Sequence, residues 1–401
     1  MLKGKTVVLG VTGSIAAYKI PNLVRMLTKL GADVHVLMTK NAENFINPIT
    51  FETLTQHKCL IDTFDRNFEY SVEHVALAKA ADVVMIAPAS ANVIGKIACG
   101  IADDMLTTTV MACPCKKIIS PAMNHNMFHN PIVQDNIERL RSFGYEIVEP
   151  DRGRLANGDT GDGRMPPEET LLQYILRHIA LPHDMEGKKV LVTAGATREA
   201  IDPVRFITNH STGKMGIALA KNAMLRGADV TLVAGAVEAE LPQFVKVINT
   251  VSAAEMAETV FRAAPEQDII VKAAAVADYR PKNISSEKIK KKDGEMTIEL
   301  ERTTDIIAEL GKNKRPGQIL CGFSMETENL IENSRKKLIE KNLDLIAANS
   351  LKEDGAGFGT DTNIITLISA DGELRLPKLS KDEAAGRIFD HILGIEKRNK
   401  I

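Results

Sequence analysis

The sequence predicts an α/β chain made of two Rossmann-like, doubly wound domains. Three observations carry that prediction. Short, nearly continuous apolar runs such as ADVVMIAPAS (81–90) suit parallel strands buried on both faces. Helical stretches separate these runs, and strand alternating with helix is the pattern of βαβ units. The pattern then restarts halfway along: GADVTLV (227–233) echoes GADVHVL (31–37), and QDIIVKAAAVADY (267–279) parallels AADVVMIAPASAN (80–92).

In chain order, TVVLGV (6–11) is the first strand, followed by a Gly-Ser turn and a helical pattern over 15–30. GADVHVLMT (31–39) is a second strand, entered through the glycine that ends the helix. ADVVMIAPAS is the third, and KKIISPAM (116–123) the fourth. Polar, Pro and Gly residues in LPHDMEGKK (181–189) replace the helical pattern, so the domains are 1–182 and 187–401. GKKVLVTAGATRE (187–199) opens the second domain as a strand and turn, and 214–236 reads as helix, glycine, strand. KIKKKDGEMTIELERT (288–303) is basic and then alternates, like a hairpin leaving the second sheet.

Composition excludes several classes. The 401 residues exceed one ordinary domain, and 44% hydrophobic with 25% charged is normal for a globular protein. A net charge of −2 leaves no electrostatic footprint for nucleic acid or an anionic membrane. Aromatics are only 4% and Trp is absent, which argues against stacking platforms for single strands. No apolar run reaches the length of a membrane span. The N-terminus reads as a strand and not as a signal peptide. Five scattered cysteines suit a reducing compartment, so the expected location is cytoplasmic. The Cys113 and Cys115 pair is read as core, with metal binding the lesser alternative.

Ligands in such sheets lie beyond the carboxyl ends of the strands. The turn GVTGSIAAYK (10–19) is not GxGxxG, and Thr39 stands where a ribose-binding acid would close the second strand. A dinucleotide-dependent oxidoreductase is therefore the runner-up. Gly13 and Ser14 either bind a phosphate at a helix start or form an ordinary N-cap. Ser90 and Asn92 follow the third strand, as caps or ligand contacts. His74 precedes that strand, and Asn124 and Met127 follow the fourth; a His and an Asn at neighbouring strand ends suggest a constellation. In the second half, TAGATREAIDPVRFITNHSTGKMG (193–216) lacks a Walker A spacing, but its NHSTGK backbone makes an anion nest before a helix. Asp278 ends a buried strand. Lys288 and Lys290 to Lys292 form a run that is either a solvated face or a phosphate contact. Lys337 and Lys341 share one helical face. Lysines converging on an anion nest point to a nucleoside triphosphate.

Taken together, GVTGSIAAYK, EHVALAKAADVVMIAPASAN, GIADDMLTTT and PAMNHNMF resemble the flavin-dependent cysteine decarboxylases across nearly all of 1–180. The resemblance implies a flavodoxin-like domain binding FMN at a trimer interface, with Gly13, Ser14, Ile15, Thr39, Ser90 and Asn92 as FMN contacts. It implies His74 as the catalytic histidine, and Asn124 and Met127 on the substrate's carboxylate side. The strings TAGATRE, DPVRFITNHSTGKMG, AAAVADY, KIKK, TTDI and GFSMET resemble the phosphopantothenate–cysteine ligases over about 187–380. The whole chain thus resembles the bifunctional bacterial enzymes of coenzyme A biosynthesis. That implies a nucleotide-binding ligase domain using CTP and Mg2+. The implied CTP contacts are Ala273, Ala274, Asp278, Lys288, Thr303, Thr304, Asp305, Ile306, Phe323, Lys337 and Lys341, with Asp278 also toward the metal. Asn209 matches the asparagine that binds the acyl-cytidylate, and Lys288 the lysine of the second half-reaction. The implied substrates are 4'-phosphopantothenate, cysteine and CTP. The implied assembly is a homo-oligomer, a dodecamer of decarboxylase trimers and ligase dimers.

The stretch RLANGDTGDGRM (154–165) matches the family's flap over the flavin. Where the resemblance implies a proton-donating cysteine, this chain has Asn157, which cannot act as an acid. Either another group or water supplies that proton, or the first half is a flavin-binding domain with impaired decarboxylation.

Overall fold

A computed structural model of the chain describes residues 1–63, 73–154, 158, 160–290, 296–326, 329–350 and 360–399. They form two compact units, Met1–Pro182 and His183–Ile401.

The first unit is built on five parallel strands: β1 (Thr6–Val11), β2 (Asp33–Met38), β3 (Val83–Ala89), β4 (Lys116–Pro121) and β5 (Glu146–Ile147), in the order β2-β1-β3-β4-β5. This is the flavodoxin-like order, whose switch point lies between β1 and β3. All seven residues of β3 are buried, as its unbroken apolar run requires of a central parallel strand. The helical pattern over 15–30 divides in two, a 3₁₀ turn Ile15–Lys19 and an α-helix Ile20–Lys29. Pro21 is the cause, because it has no N–H to return to the preceding turn. The α-helix buries Ile20, Leu23, Val24 and Leu27, one stripe of helical period, against the sheet. After the sheet the chain forms an antiparallel hairpin, β6 (Asp151–Arg154) with β7 (Thr160–Arg164).

The second unit begins with β8 (Lys189–Ala194), then a small hairpin of β9 (Arg198–Ala200) and β10 (Phe206–Thr208). The chain continues through β11 (Asp229–Ala234), β12 (Lys246–Asn249) and β13 (Ile269–Lys272). The hairpin expected from the alternating segment pairs β14 (Tyr279–Pro281) with β15 (Leu300–Arg302), outside the main sheet. Then follow β16 (Ile319–Glu326), β17 (Leu345–Ser350), β18 (Thr362–Asn363), β19 (Ile365–Ser369), β20 (Gly372–Arg375) and β21 (Leu379–Ser380), with β18 and β21 paired apart. The main sheet runs β12-β11-β8-β13-β16-β17-β19-β20. Its first six strands are parallel and, counted within this sheet, follow the Rossmann order 3-2-1-4-5-6, with a switch point between β8 and β13.

The internal echo therefore has a topological meaning. Both GADV segments pair in parallel with the first strand of their sheet. Asp82 and Asp268 also do the same job: each carboxylate accepts the N–H that opens the first strand, from Thr6 at 2.8 Å and from Lys189 at 2.9 Å. Asp344 repeats the device on Leu320 at 2.7 Å.

Candidate functional site

Each unit carries a cavity beyond its switch point. In the first unit it has a volume of about 580 Å³ and is lined by Gly13, Ser14, Ile15, Ser90, Asn124 and Met127 together with Tyr18, Lys19, Arg154, Gly163, Arg164 and Met165. The buried Thr12 ties its two strand ends, donating to Pro88 O at 2.6 Å and accepting from Ser90 N at 2.9 Å. Ser90 caps the helix Ala91–Ala98 and Asn124 caps the short helix His125–Phe128. Thr39 and Asn92 stand outside the lining. Asn92 is exposed on the second position of its helix, where the helical period turns it from the strand ends. Thr39 is buried, and its Oγ1 has no hydrogen-bond partner among the described residues. A cavity walled by backbone turns, the Ser14 and Ser90 hydroxyls and the Lys19, Arg154 and Arg164 cations fits a cofactor that carries an anionic group. His74 is half-buried in the first turn of the helix Glu73–Ala80 and is not in the lining. Asn157 lies outside the described residues.

The β6–β7 hairpin forms one wall of this cavity, and its docking explains the GDG within the flap motif. Met123 N donates to Gly163 O at 3.0 Å, and Asp162 N donates to His125 Nδ1 at 3.1 Å. Gly163 has φ +113°, and a Cβ there would lie 2.4 Å from Met123 O. A Cβ on Gly161 would meet the His125 ring at 2.7 Å. Between them Asp162 accepts from His129 Nε2 at 2.8 Å, and this bond holds its carboxyl below the usual range. His125, His129 and Asp162 are close enough to share a metal ion. However, His125 Nδ1 is already an acceptor, so the arrangement reads as a latch.

In the second unit a cavity of about 350 Å³ is lined by every expected CTP contact except Lys288: Ala273, Ala274, Asp278, Thr303, Thr304, Asp305, Ile306, Phe323, Lys337 and Lys341. The TAGATRE threonines position the AAAVAD turn, since Thr193 Oγ1 accepts from Ala274 N and Thr197 Oγ1 from Ala277 N, both at 3.0 Å. Asp305 caps the helix Ile306–Lys312 and pairs with Lys341 at 2.7 Å. The helix Lys214–Leu225 starts at the opposite wall, and Gly216 is forced there, since a Cβ would sit 2.5 Å from that of Ala194. Lys341 is the C-cap of its helix and Lys337 lies in the last turn, so both reach the cavity. Asp278 offers the cavity a carboxylate with no partner among the described residues. Among the described residues, the groupings with metal-ligand spacing contain neither Asp278 nor a cysteine; Cys59, Cys113 and Cys321 are buried thiols.

Asn209 lines an adjoining cavity of about 450 Å³, which shares Ser211 and Thr212 with the expected nucleotide cavity of the same unit. Its Nδ2 donates to Val276 O at 3.2 Å. Lys288 is exposed. The neighbouring Ile289 is clamped, its N–H donating to Asp202 at 3.1 Å and its carbonyl accepting from Arg205 at 2.7 Å. Asp202 also accepts from Arg205 Nη2 at 2.6 Å and is held far below the usual carboxylate range, chiefly by that guanidinium. The DPVR motif thus anchors the loop that carries Lys288.

Sequence reasoning missed Lys214, Lys272, Lys381, Asn349 and Asn363, all in the second cavity's lining. The Oδ1 atoms of Asn349 and Asn363 are buried without a partner among the described residues, which again fits a polar ligand. Lys272 had a signal, a lysine ending an otherwise apolar strand; the others come from helix starts and strands distant in sequence.

Fold and cavities together define a protein of two Rossmann-like α/β units, each with its own ligand cavity. Residues 1–180 match the family model described as Flavoprotein, and residues 185–395 match that of the DNA/pantothenate metabolism flavoprotein C-terminal domain. The chain belongs to the family of the coenzyme A biosynthesis bifunctional proteins CoaBC. It is 47% identical over 402 residues to that of Bacillus subtilis (strain 168), covering 99% of each chain. It is 44% identical over 393 residues to that of Vibrio vulnificus (strain CMCP6), covering 98% of each. Among solved structures, the C-terminal domain of a CoaBC protein aligns at 44% identity and TM-score 0.45, over 52% of this chain and 95% of that one. No helix among the described residues is long and apolar enough to cross a membrane.

Proposed function

We propose that this chain catalyses two consecutive steps of coenzyme A biosynthesis, ligation in residues 187–401 and decarboxylation in 1–182. In the ligase half the carboxylate of 4'-phosphopantothenate attacks the α-phosphate of CTP, and pyrophosphate leaves. The amine of cysteine then displaces CMP from the acyl-cytidylate. Asn209 holds that intermediate and Lys288 serves the second half-reaction. Asp278 would hold Mg2+ beside the triphosphate, and the ion would offset the phosphate charge. The observation that carries this reading is the convergence of ten expected nucleotide contacts, far apart in sequence, on one cavity at the Rossmann switch point.

In the decarboxylase half, Gly13, Ser14, Ile15, Ser90 and the Thr39 turn would hold FMN, with Asn92 on the adjoining helix. When bound, FMN supplies the oxidation of the cysteinyl thiol that makes loss of CO2 feasible. Asn124 and Met127 orient the substrate carboxylate, and His74 moves the proton. His74 stands outside the lining of a single chain, and Ile15, Tyr18 and Met127 are exposed around the cavity. Both facts support a homo-oligomer in which a neighbouring subunit completes the site; its make-up as a dodecamer, with trimers of this half and dimers of the other, is what the family resemblance implies. Two measurements test the proposal. The purified protein should show an FMN absorbance spectrum, and CTP should yield pyrophosphate only with phosphopantothenate present. Bound NAD in place of FMN, or no pyrophosphate release, would overturn it.

A further inference from the structure

Lys272 is the last residue of β13, in register with Thr193 on β8 and Gly322 on β16. The three residues before it, Ile269, Ile270 and Val271, are buried. Ile270 packs into the core with Leu310 and Leu320, and the two-residue period of a strand puts Lys272 on that same face. There it lines the cavity of the second unit, half-buried, at the strand end beside the switch point. Its register neighbour is a glycine, so no side chain on β16 stands beside it.

No hydrogen bond or ion pair reaches the Lys272 ammonium among the described residues. The nearby carboxylate of Asp305 is taken by Lys341 at 2.7 Å. Desolvation pushes the Lys272 pKa down; Asp305 and Asp278 oppose this, and Lys341 and Lys337 add to it. A desolvated ammonium beside two further lysines costs folding free energy unless an anion meets it. The same cavity is the one whose other residues fit a nucleoside triphosphate.

We propose that Lys272 is a phosphate-binding residue of the ligase cavity, contacting a phosphoryl oxygen of the nucleoside triphosphate. This rests on the CTP reading above. As the substrate carboxylate forms its bond to the α-phosphorus, the bond from that phosphorus to the bridging oxygen breaks. The electron pair leaves on pyrophosphate, and Lys272 stays protonated and offsets the charge that gathers there.

The test is CTP binding to the full-length protein in Mg2+, by calorimetry without the other substrates, for wild type, Lys272→Met and Lys272→Arg. Loss of one charge-assisted contact should weaken CTP binding roughly ten- to a hundredfold in Lys272→Met. The Arg variant should recover part of it. The KM for CTP should rise in step while the KM for cysteine stays put. Because an unpaired, desolvated charge has been replaced by an apolar chain of similar length, ligand-free Lys272→Met should melt at or above the wild-type temperature. A purely structural lysine would give the opposite pair of results, a lower melting temperature with unchanged CTP affinity in the folded fraction, and that overturns the inference. Wild type failing to bind CTP overturns the nucleotide reading and this inference with it. Wild type binding normally beside an equally tight Lys272→Met overturns this inference alone.

Discussion

Replacing Gly163 by alanine should release the flap of the decarboxylase half and leave the ligase half untouched. At Gly163 φ is +113°, and the new Cβ would lie 2.4 Å from Met123 O, where ordinary contact begins at 3.4 Å. Strand β7 must therefore retreat by about 1 Å, and the neighbour is backbone, which cannot swing aside. The retreat breaks the Met123 N to Gly163 O bond of 3.0 Å and the Asp162 N to His125 bond of 3.1 Å. Two such bonds contribute about 1 kcal/mol each. The left-handed backbone adds about 1–3 kcal/mol for a residue with a Cβ. A sum of about 3–5 kcal/mol shifts docking by at least a hundredfold. The assay is steady-state decarboxylation of supplied 4'-phosphopantothenoyl-cysteine, where kcat/KM should fall on the order of a hundredfold. CTP-dependent ligation by the same preparation should be unchanged. Gly153→Ala is the control, because its Cβ would meet only the Arg164 guanidinium at 3.2 Å, a side chain free to move. Wild-type kcat/KM in Gly163→Ala, or an equal loss in Gly153→Ala, would refute the docking argument.

Three further outcomes follow from other parts of the structure. Asp202→Asn should free the loop that carries Lys288, slowing amide formation more than acyl-cytidylate formation in rapid-quench kinetics. Asp202 has a folded pKa below its ordinary 3.8, so its stabilisation is complete above that value and is lost as pH falls through the folded one. The melting temperature of the ligase half in Asp202→Asn should accordingly sit below wild type at neutral pH and converge with it below about pH 4; a constant gap down to strong acid would remove Asp202 as the cause. Asn157→Cys should speed release of 4'-phosphopantetheine by restoring an acid to the flap, and an unchanged rate would make residue 157 merely structural. Asn209→Ala should cut ligation at least tenfold with decarboxylation intact, whereas a fall in both would indicate damage to the fold.

Much of this architecture was legible in the residues. Continuous apolar runs identified β1, β3, β8 and β13 because strands buried on both faces have no polar side to show. The repeated GADV and aspartate-led segments marked equivalent strands because the same backbone device opens each sheet. The antiparallel edge of β19 and β20 was not legible, since a late strand's direction depends on the sheet it joins. The site was readable where it lay in contiguous turns, such as 273–278 and 303–306. It was hidden where tertiary folding supplied the residue: Lys214 and Lys381 enter from helix starts far apart in sequence, and Asn349 and Asn363 from separate strands. Asn92 lies on the helix that follows the third strand, exposed and outside the cavity lining of a single chain. In the flap, Gly161 and Gly163 are contact points that let the backbone dock against His125 and Met123.

The central claim is that one chain joins cysteine to 4'-phosphopantothenate and then removes its carboxylate. Incubating the purified protein with 4'-phosphopantothenate, cysteine, CTP and Mg2+, and following the products by mass spectrometry, tests it most directly. The account predicts 4'-phosphopantothenoyl-cysteine appearing with CMP, then its decarboxylated product, with the last reduction slow in the presence of Asn157. Absence of any cysteine adduct, or adduct formation that does not depend on CTP, would contradict it.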